Sequence, residues 1–291
     1  MRYHHSFHAG NFADVHKHVA LIALLSALQA KAKGFLYLDT HAASGLTDLG
    51  GAEARRGAEA ERGWLRFAPG APGAPAATDI ADVPEIVAWR DAVLELQRRC
   101  GAHHYPGSPL LAALALREQD RGLAAESQAP TARALERHLN AAGLTSRMRV
   151  ATGDGFAQLA AHWPPRERRS LALIDPPYET ADEWVRALDA VRAGLERFET
   201  GVAAVWFPIK RDRDLDRMLA RVANVIDRPT LAALLWVHPL DSAAGLNGSG
   251  MLIVNPPYAM SQRLPDWQAA LHRLLGAEHG GTEVRWLVHE R

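Results

Sequence analysis

The order of secondary-structure signals predicts an α/β fold built on a doubly wound, mostly parallel sheet. Short apolar segments with strand character alternate with helical segments along most of the 291 residues, and this alternation is typical of parallel sheets covered on both faces. The last two strand segments are joined by a loop rich in Gly, Asn and Ser, which predicts an antiparallel hairpin. Because the sequence has no internal repeat, we expect one domain over residues 1–291, with residues 50–105 as a helical insertion after the first strand.

Composition narrows the class of protein. Cys100 is the single cysteine, so no internal disulfide forms, which fits a reducing compartment. No apolar run reaches the roughly 18 residues of a membrane span, and the His-rich start is unlike a secretory signal; we therefore expect a cytoplasmic protein. The formal net charge is zero, so nucleic-acid binding would need a local basic patch.

The first half of the chain is predicted to be mainly helical. A helix is expected over residues 11–33, with Asn11 as its cap and Gly34 just beyond its end. Residues 35–38 predict a strand that ends on Asp39. A charged helical segment at 53–67, a loop rich in Ala, Pro and Gly at 68–84 and a helix at 84–99 then form the insertion.

The second half contains most of the predicted sheet. Ser108 is predicted to cap a helix with Pro109 in its first turn. Parallel strands separated by helices are predicted at 122–125, 148–151, 171–174 and 202–206. The hairpin is predicted at 231–237 and 250–254.

One motif carries the predicted chemistry: Asp175-Pro176-Pro177-Tyr178 directly follows the apolar strand 171–174. Ligands of open α/β sheets bind beyond the carboxyl ends of strands. Two consecutive prolines fix φ and remove two N–H donors, so the turn is stiff and its carbonyl groups remain available as acceptors.

This turn is suited to methylating an amine on an aromatic base. Such an amine is a weak nucleophile because its lone pair is delocalised into the ring. Two acceptors that hold its N–H groups, Asp175 and the carbonyl of Pro176, favour a tetrahedral nitrogen, and Tyr178 is placed to stack on the base for roughly 1–3 kcal/mol. Transfer from a sulfonium requires positioning rather than a metal.

Two structural explanations compete with this prediction. Asp175-Pro176-Pro177-Tyr178 alone is equally well explained as a proline turn after a buried strand. A second copy, Asn255-Pro256-Pro257-Tyr258, follows the last strand of the hairpin. That strand should run in the opposite direction, so we expect Asn255 to have a structural role and Asp175 the catalytic one.

Acidic residues follow three successive strands and predict a cofactor site. Asp39 precedes a loop of small residues that lacks the Gly-x-Gly-x-x-Gly pattern of a phosphate cradle, which favours a nucleoside cofactor without phosphates. Glu126 is placed to hold ribose hydroxyls, and Asp154-Gly155 is placed to bind an adenine amine. Each acid alone is explained as a solvated loop carboxylate; their joint occurrence carries the prediction.

Several blocks resemble the RlmJ family of bacterial 23S rRNA adenine-N6 methyltransferases. They are residues 5–18, 36–42, Tyr105-Pro-Gly-Ser-Pro109, 116–120, Asp154-Gly155-Phe156 and 174–178, and the first is the most specific. The resemblance implies a Rossmann-like methyltransferase fold with a mostly parallel seven-stranded sheet and a helical insertion. It further implies S-adenosylmethionine as donor and N6-methyladenine in 23S rRNA as product. The expected substrate is 23S rRNA that is protein-free or partly assembled.

The resemblance also assigns roles to individual residues. It places Asp175 in catalysis and Tyr3 and Lys17 near the substrate adenine. The cofactor site would be lined by His18, His41, Ser108, Glu126, Asp154 and Gly155.

Other signals leave alternatives open. The His cluster at 4, 5, 8, 16 and 18 lacks a Cys or acidic partner for a tetrahedral metal site, so we expect no metal. Arginines of the insertion form either an RNA-facing patch or a solvated face; they are Arg55, Arg56, Arg62, Arg66, Arg98 and Arg99. DNA or a protein glutamine would suit the same chemistry, and a non-catalytic RNA-binding protein is the alternative of a different class.

Overall fold

The computed structural model describes residues 9–51, 59–70, 74, 80–180, 182–243 and 245–289. Within them, ten strands form an eight-stranded sheet and a two-stranded ribbon. The strands are β1 (Leu36–Asp39), β2 (Leu46–Asp48), β3 (His104–Pro106), β4 (Arg121–Glu126), β5 (Met148–Thr152), β6 (Ser170–Ile174), β7 (Val202–Ile209), β8 (Thr230–Trp236), β9 (Gly248–Val254) and β10 (Gly281–Val288). The α-helices are α1 (Phe12–Gln29), α2 (Pro84–Cys100), α3 (Ser108–Ala115), α4 (Ala129–Ala141), α5 (Gly155–His162), α6 (Glu183–Arg197), α7 (Asp212–Val225) and α8 (Tyr258–Leu275).

The large sheet has the order β10-β8-β9-β7-β6-β1-β4-β5. Neighbours from β7 to β5 are parallel, whereas β9 lies antiparallel between β7 and β8. The predicted α/β fold with a C-terminal hairpin is therefore confirmed. The predicted number of seven strands was wrong, because β10 pairs antiparallel with β8 as an eighth, edge strand. Its charged Glu283 and Arg285 alternate with the core-packed Val284 and Trp286, which masks the strand signal.

Helices cover both faces of the sheet, as the long apolar strand segments require. Every residue of β6 and β9 is buried, and a fully buried aliphatic side chain contributes roughly 1.5–3 kcal/mol. One core lies beneath α1, α2, α3, α4 and α8, and the other lies beneath α5, α6 and α7. Among the described residues, no helix is long and apolar enough to cross a membrane.

Helix α1 packs against β6, β7 and β9 of the large sheet. Asn11 caps it as predicted, because its side chain accepts hydrogen bonds from the backbone of Ala13 and Asp14. The helix ends at Gln29 rather than near residue 33. Arg117 donates to the carbonyl oxygen of Gln29, the last residue of the helix, and to that of Lys31 just beyond it.

The predicted insertion begins and ends at a two-stranded ribbon, in which β2 pairs antiparallel with β3. The helix predicted at 84–99 is confirmed as α2. The charged helix predicted at 53–67 was wrong for the described residues 59–67, which form two short 3₁₀ turns, Glu59–Arg62 and Trp64–Arg66. The backbone leaves helical geometry at Gly63, with φ −138° and ψ −114°, because the N–H of Trp64 donates to the carbonyl oxygen of Gly10 at 2.7 Å instead of to an oxygen within the helix. Residues 52–58 lie outside the described part.

Candidate active site

A pocket opens at the carboxyl edge of the sheet, where β6 ends at Asp175. It encloses about 370 Å³ of space, part of it open to solvent. Its walls come from α1, the loop after β1, and the junction of β3 with α3. The lining residues are Ala9, Asp14, Lys17, His18, His41, Ala42, Ala43, Ser44, Gly45, Thr47, Tyr105, Gly107, Ser108 and Asp175. The pocket thus brings together the predicted Asp175, Lys17, His18, His41 and Ser108.

The ammonium group of Lys17 links two carboxylates across this pocket. Its Nζ lies 2.6 Å from Asp175 Oδ2 and 2.8 Å from Asp14 Oδ1, and the Lys17 side chain is only 5% exposed. Burial opposes the charged form, but the two carboxylates outweigh burial and raise the pKa of Lys17. Lys17 therefore stays charged and fixes one oxygen of Asp175.

Two acceptors of the turn have no donor within the described structure, one in the half-buried Asp175 and one in the buried Pro176. Within the described part of the chain, neither Asp175 Oδ1 nor the carbonyl oxygen of Pro176 accepts a hydrogen bond. Asp175 is half-buried, so an approaching ligand can reach it. A side-chain acceptor and a backbone acceptor next to each other suit a group with two N–H bonds.

Tyr178 is held in the turn by Trp206 of β7. Its hydroxyl donates to the Trp206 carbonyl at 2.6 Å, and the two rings meet edge to face at 5.7 Å. Tyr178 has a φ of +53°, a costly value for a bulky residue. Burial, reinforced by Asp175 and Glu183, raises the pKa of the phenol well above its usual value, so Tyr178 remains a neutral ring.

Asp39 is a buried acid behind the pocket. Its Oδ2 accepts hydrogen bonds from Ser108 Oγ at 2.7 Å and from the Tyr37 hydroxyl at 3.0 Å. Burial raises the pKa of Asp39 to about 6, although these two donors act in the opposite direction. The prediction that Ser108 caps α3 was wrong: Gly107 occupies the cap position, because the Ser108 hydroxyl is used by the Asp39 carboxylate.

The two predicted cofactor histidines have defined partners. His18 is buried, and its Nδ1 lies 2.9 Å from the hydroxyl of Tyr105, whose ring stacks on the imidazole. His41 Nδ1 lies 2.8 Å from Thr40 Oγ1, and its ring meets Phe156 edge to face. Burial lowers the pKa of His41 despite the nearby charges of Asp175 and Asp154, so a neutral ring faces the pocket at neutral pH.

Glu126, Asp154 and Gly155 lie farther along the same sheet edge and do not line the pocket. Glu126 ends β4 and accepts from the backbone of Gln128 at 2.7 Å. Asp154 caps α5 and is approached by Arg186 at 3.6 Å. Gly155 is required by packing, since a Cβ there would lie 1.9 Å from the Thr40 carbonyl oxygen. That close approach holds the β5–α5 turn against the loop that carries His41.

The structural role predicted for Asn255 is confirmed. Because β9 runs antiparallel to β7, Asn255 lies at the opposite edge of the sheet from Asp175. Its Nδ2 donates to the carbonyl oxygens of Glu199 and Gly201, both at 2.8 Å. The amide thus joins two chain segments instead of facing a pocket.

Sequence reasoning missed two residues that shape the site. Asp14 lies in the segment predicted as a helix and was given no part in the site, yet it shares Lys17 with Asp175; the i, i+3 spacing of an acid and a lysine was the available signal. Trp206 was assigned only to a strand, and no sequence pattern indicated its contact with Tyr178. Tyr3 and His4, His5 and His8 lie outside the described residues.

Comparison with known proteins identifies the family. The chain matches the family described as "Ribosomal RNA large subunit methyltransferase D, RlmJ" over residues 32–288. The chain belongs to this family. It is 37% identical over 291 residues, covering both chains completely, to Ribosomal RNA large subunit methyltransferase J of Escherichia coli strain K12. It is 34% identical over 293 residues, again with complete coverage of both chains, to the Haemophilus influenzae protein of the same name.

A solved structure supports the fold of this family member. A protein from Legionella pneumophila superposes with a TM-score of 0.81 at 28% identity, covering 96% of this chain and 98% of that one. The predicted family and enzyme class, a ribosomal RNA methyltransferase, are therefore confirmed. The non-catalytic alternative is disfavoured by the same comparison.

Proposed function

We propose that the chain transfers a methyl group from S-adenosylmethionine to N6 of an adenine in 23S rRNA, with Asp175, Pro176 and Tyr178 as the catalytic motif. The observation that carries this proposal is that the two carboxylate oxygens of Asp175 have different partners. Lys17 holds Oδ2 at 2.6 Å, while Oδ1 and the neighbouring Pro176 carbonyl are left as a pair of acceptors. An exocyclic amine has two N–H bonds for such a pair.

The pocket is suited to the methyl donor. When bound, S-adenosylmethionine supplies an electrophilic methyl group on a sulfonium cation. The pocket is lined by the carboxylates of Asp14 and Asp175, by the hydroxyls of Ser44, Thr47 and Ser108, and by small residues such as Gly45. The two carboxylates share the single ammonium of Lys17, so the group keeps a net negative charge that suits a cation. The hydroxyls suit those of a ribose, and no phosphate cradle is present in the loop after β1. We assign His18, His41 and Ser108 of this pocket to the donor site, which we extend along the same sheet edge to Glu126, Asp154 and Gly155 outside the pocket.

Catalysis by these residues consists mainly of positioning. Asp175 Oδ1 and Pro176 O would accept the two amine hydrogens and direct the nitrogen lone pair out of the plane of the base. Tyr178, fixed against Trp206, would pack on the base. After methylation the amine would lose one proton, and Asp175 Oδ1, which already accepts one of its N–H groups, would accept that proton. Holding the two reactants in the correct geometry lowers the activation free energy by several kcal/mol, because their translational and rotational entropy is already lost on binding.

The substrate side of the site is assigned more coarsely. We place Tyr3 and Lys17 near the target adenine, Lys17 through its contact with Asp175. We propose protein-free or early-assembly 23S rRNA in the cytoplasm as the partner, because the target base must be turned out of its stack to reach the pocket. Residues 50–105 are proposed as an insertion within a single methyltransferase domain.

The test is methyl incorporation from labelled S-adenosylmethionine into matched substrates. Protein-free 23S rRNA, assembled large subunits, duplex DNA and a protein glutamine substrate are compared, and the product is digested to nucleosides. We expect N6-methyladenine from protein-free 23S rRNA and its loss in Asp175→Ala. Preferential labelling of DNA or protein, or labelling that survives Asp175→Ala, would refute the proposal. Calorimetry with S-adenosylmethionine separates loss of donor binding from loss of chemistry.

A further inference from the structure

A buried hydrogen-bond chain runs behind the proposed active site from α1 through β9 to β7. His16 on α1 and Ser249 on β9 are both fully buried. His16 Nδ1 lies 2.9 Å from Ser249 Oγ, and Trp206 Nε1 lies 2.9 Å from the same oxygen. His16 and Ser249 lie 233 positions apart in the sequence, so only the folded state brings them together.

Chemistry fixes the direction of the hydrogen bond between Trp206 and Ser249. The indole N–H of Trp206 is a donor only, so Ser249 Oγ must accept from it. With the His16 proton on Nε2, the Ser249 hydroxyl donates to His16 Nδ1; with the proton on Nδ1, His16 donates to Ser249 Oγ. Burial lowers the pKa of His16 to about 3, so the imidazole is neutral and takes one of these two arrangements. In both, Ser249 Oγ is the shared partner of His16 and Trp206.

Trp206 connects this chain to the catalytic turn by three contacts. Its carbonyl accepts from the Tyr178 hydroxyl at 2.6 Å, and its ring meets the Tyr178 ring edge to face at 5.7 Å. Lys17 Nζ lies 5.8 Å from the centre of the same indole ring. The orientation of the indole therefore bears on the Tyr178 ring and on the ammonium that holds Asp175.

We propose that His16 and Ser249 are positioning residues for methyl transfer, which act by fixing the orientation of the Trp206 indole against Tyr178 and Lys17. The inference rests on the proposed function, because it assigns Tyr178 and Lys17 to the adenine site. Neither His16 nor Ser249 lines the donor pocket. Their loss should therefore affect turnover of the target base and leave binding of S-adenosylmethionine unchanged.

The first test is Ser249→Ala, which leaves the indole N–H without its acceptor. We expect kcat on protein-free 23S rRNA to fall roughly tenfold, as for loss of about one hydrogen bond, and the Kd for S-adenosylmethionine to stay within twofold. The matched control is Ser170→Ala. Ser170 is also a buried strand serine, but its hydroxyl has no partner in the described structure, so kcat should be unchanged.

Two further variants separate positioning from general loss of packing. His16→Asn keeps a side-chain oxygen near the place of Nδ1 and should retain more activity than His16→Leu, which does not. Trp206→Phe removes the N–H but keeps an aromatic ring; if the chain acts through that N–H, adding Ser249→Ala to it should cause little additional loss. This last pair keeps the test decisive if a His16 variant fails to fold.

The outcomes distinguish this inference from the proposed function. If the wild-type protein does not methylate 23S rRNA, the proposed function fails. If the wild-type protein does methylate 23S rRNA, any one of three results overturns the positioning role. Ser249→Ala keeps the wild-type kcat, donor binding falls in parallel with kcat, or the effects of the Ser249 and Trp206 substitutions multiply.

Discussion

Two turns with the sequence Pro-Pro-Tyr follow two strands of the same sheet, but the polar residues before them have different partners. Asp175 ends the parallel strand β6, and its carboxylate faces Lys17 and a pocket. Asn255 ends the antiparallel strand β9, and its amide donates to the carbonyls of Glu199 and Gly201. Strand direction therefore sets the surroundings of each turn, because it determines the edge of the sheet at which the polar residue emerges.

The two turns also differ in backbone conformation. The left-handed residue is Tyr178 in the first turn and Asn255 in the second, with φ values of +53° and +51°. Asn tolerates that conformation well, whereas a tyrosine does so at a cost. The strained residue is thus the one at the proposed catalytic site. Tyr178 is half-buried against Trp206, whereas Tyr258 is 76% exposed at the start of α8.

The largest effect expected from this comparison is that of Asp175→Asn on methyl transfer. The variant keeps the shape of the turn, but Lys17 would attract the single amide oxygen and turn the NH₂ group toward the substrate amine. Two donors would then face each other, so we expect kcat/KM to fall on the order of 10³-fold, about 4 kcal/mol. Single-turnover assays with labelled donor measure it, and a loss below threefold would remove Asp175 from catalysis.

Lys17→Met tests the charge network that distinguishes the first turn. Met approximates the length of lysine but leaves Asp14 and Asp175 without their shared buried cation. We expect the free energy of unfolding to fall by about 3 kcal/mol, measured by urea denaturation. The control is Lys210→Met at an exposed position, with an expected change below about 0.5 kcal/mol. Adding Asp175→Asn should restore part of the Lys17→Met loss; simple additivity would argue against coupling.

The raised pKa of Asp39 predicts that the free energy of unfolding depends on pH. Its folded pKa of about 6 exceeds the unfolded value of 3.8, so the folded state binds more protons between these values. Stability should therefore fall as pH rises from about 4 to 6, by roughly 3 kcal/mol. Asp39→Asn should abolish this decline, as measured by urea titrations across the range.

Asp120→Asn is the control of opposite sign. Burial alone would raise the pKa of Asp120, but hydrogen bonds and charge from Arg117 lower it. This acid therefore stabilises the fold at neutral pH and loses that contribution as pH falls. If Asp39→Asn and the wild-type protein lose stability in parallel between pH 4 and 6, the buried carboxylate is not the source.

The sequence was sufficient to predict the parts of the site that depend on local pattern. An apolar strand followed by two prolines located Asp175, and strand order separated it from Asn255. The loop after β1 was predicted in the same way to lie beside the site, and its residues line the pocket. These signals are local because strand, turn and direction are encoded within a few residues.

The missing parts are contacts between distant segments. Lys17 reaches Asp175 across 158 positions, and Trp206 meets Tyr178 across 28. Such contacts depend on how α1 crosses the sheet and how β7 lies beside β6, which periodicity does not specify. Ser108 was assigned a cap for the same reason: its buried acceptor, Asp39, lies 69 positions away. The strand β10 was missed because an edge strand carries charged residues on its solvated face.

Asn255→Ala gives the smallest expected effect and completes the comparison from the structural side. It removes two donors to backbone carbonyls at a partly exposed site and places alanine at a φ of +51°, so we expect a loss of about 1–2 kcal/mol in the free energy of unfolding. Methyl transfer per folded molecule should be unchanged. Asn255→Gly removes the same donors but accepts the conformation, so the difference between the two variants isolates the backbone contribution. A fall in kcat with either variant at full folding would show that the two ends of the sheet are coupled, and strand direction alone would then not separate the proposed catalytic turn from the structural one.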